Sequence, residues 1–220
     1  MNVFVDDQPV TISVPTLAEA IRAARAEAQR HGRVVIDATL DGVSVPDELL
    51  SSPGEETFAG SDVRFATADP VDLVASTLRG VAEALHEAKA EHVAAAELIQ
   101  QGQIENAMGR LTTALGVWEQ ARTAVINGSE LLGYSIVASS TPNGTPSAQQ
   151  AIDALAQRLG ELKRAFVAQD WSGLSDTLAY DMPELADVWC KLLTEIADDD
   201  HAGRGTRMAT SGHSPQSGVG

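Results

Sequence analysis

The sequence predicts an α+β fold, with a small mixed-sheet domain at the N-terminus followed by an antiparallel four-helix bundle. Alternation of apolar and polar residues, the period of a strand, is confined to residues 1 to about 68. From residue 70 to about 198 the apolar residues recur at alternating spacings of three and four. Composition agrees: 44% of the residues are apolar but only 4% are aromatic, so the core must be aliphatic and rich in helix-favouring Ala and Leu. The expected layout is a sheet domain over 1–68, a bundle over 69–198 and a disordered tail over 199–220.

In the first domain, Val3 and Val5 alternate with polar neighbours, as do Val10, Ile12 and Val14. "VDDQPV" between them is a tight-turn candidate. Pro15 ends the second strand, and "TLAE" opens a helix with Thr16 as N-cap and Glu19 completing a capping box. Leu17, Ala20, Ile21, Ala24 and Ala28 form that helix's apolar stripe, and Gly32 suits the left-handed position after its end. "RVVIDATLDGVSV" reads as a hairpin turning at Asp41-Gly42. The polar loop "SSPGEETFAGSD" then leads to a last strand at "VRFAT". The order β-β-α-β-β-β resembles the β-grasp, or ubiquitin-like, fold. That resemblance implies a helix crossing one face of a mixed sheet.

Pro70 behind Asp69 is a helix start. Val71, Val74, Leu78, Val81, Leu85, Ala88, His92, Ala95 and Ile99 then mark one long seam, which Gly102 ends. Ile104, Met108, Leu111, Leu115, Trp118 and Val125 continue the rhythm in a second helix. The short turn between the two forces them antiparallel. After the turn-forming stretch "ASSTPNGTPSAQQ", a third helix carries Ile152, Leu155, Leu159, Leu162 and Phe166. A fourth carries Leu174, Leu178, Met182, Leu185, Trp189, Leu192 and Ile196. The turns at "IQQGQIENA" and "FVAQDWSGL" hold equivalent places in two successive hairpins. Beyond Asp198 large apolar side chains almost vanish, hence the expected disorder.

Pro183 interrupts the fourth helix, yet the apolar phase passes through it. "DMPE" has the form of a capping box with Asp181 as N-cap, so the expectation is a kinked helix or two nearly collinear ones. A bend that served a partner would present Tyr180, Met182 and Trp189, and these are the candidate partner-binding residues.

Chemistry finds little support. Glu83 and His86 have the E-x-x-H spacing of di-iron bundles, but such a site needs two of these motifs and further carboxylates. His86 therefore reads as a solvated residue among Glu83, Glu87 and Glu91, and His92 as a satisfied interior histidine. His201 and His213 fall in the tail. There is no G-x-S-x-G elbow, C-x-x-C pair or Walker-type loop. The acid pairs Asp6-Asp7 and Glu55-Glu56 read as solvated turns. Cys190, the one cysteine, reads as a buried inert thiol beside Trp189. No catalytic residue, cofactor or metal is expected.

A net charge of −16 opposes binding to nucleic acid or to anionic membrane and permits basic partners. Neither a signal peptide nor a membrane-spanning run is evident, so a cytoplasmic protein is the default.

"AAAELIQQGQIENAMGRLTTAL" resembles the helical hairpins of tetratricopeptide repeats and of flagellar export chaperones of the FliS type. A repeat array would need the motif again about 34 residues later, where the Ser/Thr/Pro-rich loop lies instead. The chaperone resemblance spans about residues 90 to 196, and the β-rich N-terminal part departs from that family's all-helical form. Together these readings lead to a non-enzymatic protein-interaction module of the chaperone or adaptor kind, with a protein partner. The alternative is a metal- or ligand-binding helical-bundle enzyme.

Overall fold

A computed structural model describes residues 1–53, 61–133 and 146–211. The chain is an α+β protein that divides into two compact units, Met1–Leu73 and Val74–Gly220.

The first unit holds β1 (Asn2–Val5), β2 (Gln8–Val10), α1 (Leu17–Arg30), β3 (Val34–Leu40), β4 (Val43–Ser44), α2 (Asp47–Ser51) and β5 (Asp62–Ala68). The strands form one mixed sheet in the order β2-β1-β5-β3-β4. β1 and β5 run parallel at its centre, with Val3 opposite Val63, and the other pairs are antiparallel. Leu17, Ala20, Ile21, Ala24 and Ala28 of α1 are buried, the predicted stripe. Most of them share a core with Val3, Val5, Val63 and Phe65.

Local chemistry explains the corners. Thr16 caps α1 by accepting from the Glu19 amide at 3.3 Å, while the Glu19 carboxylate pairs with Arg22 and so leaves the capping box half made. Gly32 is left-handed at φ 65°, and the Arg33 amide reaches back to the Ala28 carbonyl. Asp41 and Gly42 both have positive φ, as a two-residue hairpin with primed geometry requires. Asp6 and Asp7 do the same between β1 and β2. The Asp6 carboxylate accepts from both the Thr67 amide and the Thr67 hydroxyl, which ties this turn to β5.

The second strand is shorter than the alternation suggested. β1 begins at Asn2, so beyond the Val3–Val10 pair little of it remains to be paired, and Val14 is exposed. The short helix α2 is an addition to the expected order. The loop expected at 51–62 lies largely outside the described residues, Glu55 and Glu56 included.

The helical part consists of α3 (Pro70–Gln100), α4 (Ile104–Leu132), α5 (Ala148–Val167), α6 (Trp171–Asp176) and α7 (Met182–Ser211). α3 has 31 residues, about 46 Å of helix. Contacts fix the directions. Arg79 with Asp198, Lys89 with Asp187 and Gln100 with Ser175 pair α3 with the α6–α7 helix in opposite senses. Trp189 with Ala151 and Arg158 with Asp181 do the same for α5 and α7. A single apolar core draws on α3, α4, α5, α6 and α7.

Pro183 lies inside a continuous helix. A π-helical turn, Thr177–Asp181, joins α6 to α7, and the Met182 amide bonds to the carbonyl of Thr177, five residues back. In an α-helix a proline ring clashes with the carbonyl four residues before it. The wider turn takes up one extra residue and relieves that crowding. Asp181 is therefore not an N-cap; it accepts a 3.5 Å ion pair from Arg158.

The tail differs as well. The helical backbone of α7 runs on to Ser211, past Asp198, where order was expected to end. Extending an existing helix needs no new nucleus, and Ala202, Ala209 and Met208 are good helix formers. His213 and the terminal "SGVG" lie outside the described residues, as does most of the Ser/Thr/Pro-rich connection before α5.

Candidate functional site

The 3-4 spacing that builds the core of the helical unit continues onto one open face. Met108, Leu111, Leu115 and Trp118 of α4 face Leu155, Leu159, Leu162 and Phe166 of α5 across a groove of about 560 Å³, with Leu174 also lining it. The groove is half open to solvent, and its lining is almost wholly apolar. Leu111, Trp118, Leu155, Leu162 and Leu174 are core residues, so the groove reaches into the centre of the helical unit. Leu115 and Leu159 are half-buried walls, and Phe166 stands 45% exposed at its edge. Grooves of this size and polarity are usual for binding sites.

Charges stand only at the rim. Arg122 donates to Glu119 through both Nε and Nη2, at 3.0 and 2.6 Å, and this pairing holds the Glu119 carboxyl below its usual range. Lys163 is exposed and has no carboxylate partner among the described residues.

Behind the α4 wall sits an aromatic cluster. The Trp118 indole N–H donates to Nε2 of His92 at 2.9 Å, and its ring meets Trp189 edge-on at 5.8 Å. Accepting at Nε2 puts the neutral ring's proton on Nδ1, which is buried and has no hydrogen-bond partner. Burial pushes the His92 pKa down to about 4, against a small opposing effect of Glu91. His92 is thus the interior histidine expected of the seam, but only half satisfied.

The candidate residues beside Pro183 separate. Tyr180 is 73% exposed on the π-helical turn, whereas Met182 and Trp189 are completely buried. The π turn and the seam together cause this, since they direct Met182 and Trp189 inward with Leu178 and Leu185. Only Tyr180 can touch a partner without the helices parting. His86 is exposed, as are Glu83 and Glu87. No group of three or more His, Cys, Asp or Glu side chains able to hold a metal ion is gathered among the described residues. The Cys190 thiol donates to the Ala82 carbonyl at 3.1 Å, and burial raises its pKa, so it stays protonated. No helix among the described residues is long and apolar enough to cross a membrane.

The groove itself escaped sequence reasoning. Its walls carry the same spacing as the core, and only the gap between α4 and α5 turns seam residues into a binding surface. Compared with known proteins, the chain matches no family model, no curated protein and no solved structure.

Proposed function

We propose that this is a non-enzymatic protein-interaction module of the chaperone or adaptor kind, a β-grasp-like unit joined to an antiparallel four-helix bundle. The strand order β2-β1-β5-β3-β4, with a parallel central pair and α1 against the sheet, supports the first assignment. Opposed directions of α3 and α7, and of α5 and α7, with a three-residue turn from α3 to α4, support the second. The single observation that carries the function is the apolar groove between α4 and α5, where half-buried Leu115 and Leu159 and exposed Phe166 overlie core side chains.

A protein partner of cytoplasmic origin fits the chain best. Its net charge of −16 disfavours nucleic acid and anionic membrane. Tyr180 is retained as an outlying contact, outside the groove.

A photo-crosslinking residue placed at Leu159 of the full chain tests the proposal, with the exposed Lys89-side position Ala90 as control. The expected result is one discrete protein adduct from Leu159 and none from Ala90. Equal labelling at both positions, or no protein adduct at Leu159, overturns it.

A further inference from the structure

The groove's walls are themselves a pattern. On α4 they fall at Met108, Leu111, Leu115 and Trp118, spacings of three, four and three. On α5 they fall at Leu155, Leu159, Leu162 and Phe166, spacings of four, three and four. Two helices with this rhythm present a row of holes, each framed by side chains from both walls, and such holes accept knobs that recur at the same spacing. A third helix has that spacing. The wall from Leu155 to Phe166 is about 17 Å long at 1.5 Å per residue, room for about three helical turns. A half-open groove also suits an occupant that is apolar on one face only.

The rim adds a sign. Glu119 and Arg122 satisfy each other, so Lys163 is the rim charge left to meet an occupant. Charges flanking such a seam choose the partner and its orientation.

Resting on the interaction-module reading above, we infer that the groove's occupant is an amphipathic helix of a partner protein. Its apolar residues recur at i, i+4, i+7 and i+11, and a carboxylate flanks that stripe opposite Lys163. Away from this contact the partner is basic, because the chain as a whole is strongly acidic.

The test uses the full chain and two synthetic amphipathic peptides of about 16 residues. They share the same leucine stripe and differ only in carrying Glu or Lys at the flanking position. At low salt the Glu peptide should bind about fivefold more tightly, and Lys163→Glu should reverse the preference. Leu115→Asp should abolish binding of both while the protein still melts cooperatively, with a loss of stability far smaller than a core substitution causes. Equal affinities, or a preference that Lys163→Glu leaves unchanged, overturn the charge assignment. If neither peptide binds although Leu159 crosslinks a protein, the helical occupant is wrong and the interaction reading stands. If neither peptide binds and Leu159 crosslinks nothing, both fall. A lipid released from the native protein and detected by mass spectrometry, or a dimer dissolved by Leu115→Asp, would assign the groove to another occupant and overturn the inference.

Discussion

The helical unit is two hairpins solved differently. Their turns match bond for bond: the amides of Gly102 and Gln103 return to Ile99 and Leu98, and those of Gln169 and Asp170 return to Phe166 and Ala165. Yet the left-handed position is glycine in the first turn, at φ 75°, and glutamine in the second, at φ 56°. In α4 of the first hairpin small residues are buried at every seventh position, namely Ala107, Ala114, Ala121 and Gly128, alternating with buried Leu111, Trp118 and Val125. The second packs through Leu178, Met182, Leu185 and Trp189, with a π-helical turn in the middle. Each buries an indole, but the Trp118 N–H goes to a histidine and the Trp189 N–H to the backbone carbonyl of Ala151. One fold thus contains a titratable joint in one half and a steric adjustment in the other.

The largest effects should show that both halves share one core. Leu78→Asp and Leu178→Asp each bury an unpaired carboxylate, and each should cost about 4 kcal/mol or more by chemical denaturation. Leu115→Asp, on the groove wall, should cost far less. If Leu115→Asp proves as damaging as the other two, the groove is closed core and the contrast between open and packed faces fails.

Acid should separate the hairpins next. The His92 pKa is depressed from 6.5 to about 4, so the unfolded chain takes up the proton first as pH falls. Its contribution is whole above pH 6.5, is lost as pH drops through the interval to about 4, and is level below that. The loss should reach about 3 kcal/mol. His92→Gln keeps an acceptor for Trp118 and should remove about one proton from the stability slope in that interval. An unchanged slope would mean that His92 titrates as freely when folded as when unfolded.

Turn substitutions are smaller and opposite in sign. Gly102→Ala should destabilise by about 1 kcal/mol, and Gln169→Gly should stabilise by about as much, because only the backbone conformation is at stake. No heavy atom lies within 4 Å of a Cβ built on Gly102, which removes packing from the comparison. Smallest of all is Pro183→Ala. The π turn has already relieved the ring, so stability should rise by less than about 0.5 kcal/mol. A loss of stability there would show that the turn is held by its side-chain packing and not by the proline.

Much of this was legible from spacing and turn chemistry. The α1 stripe, the Asp41-Gly42 and Gly32 turns and the α3 seam all follow from short-range rules about period and positive φ. The alanine positions of α4 were missed because the larger Met108 and Leu115, half-buried beside the groove, carry the same rhythm. The π turn had a signature too. Leu174, Leu178 and Met182 are spaced four and four where the rest of the helix alternates, so one residue is surplus to the regular winding. Read as an unbroken phase, it pointed to a kink or a cap at Asp181. Tyr180 falls outside the apolar phase of the fourth helix and is exposed, whereas Met182 and Trp189 lie on that phase and are buried, so the spacing itself separates the three candidates. The groove depends on how far apart α4 and α5 stand, and no local pattern encodes that separation.

The indole pair has an optical consequence. Trp118 and Trp189 lie edge to face in the core, and Trp118 also lines the groove. The protein therefore carries its own reporter. A fixed indole pair in an asymmetric environment should give a strong near-ultraviolet circular dichroism signal, which vanishes when specific packing is lost even if helices persist. Emission from Trp118 should respond when an occupant covers the groove and, separately, when the histidine behind it takes up a proton. Folding, occupancy and protonation can thus be followed on the unlabelled chain, by light alone.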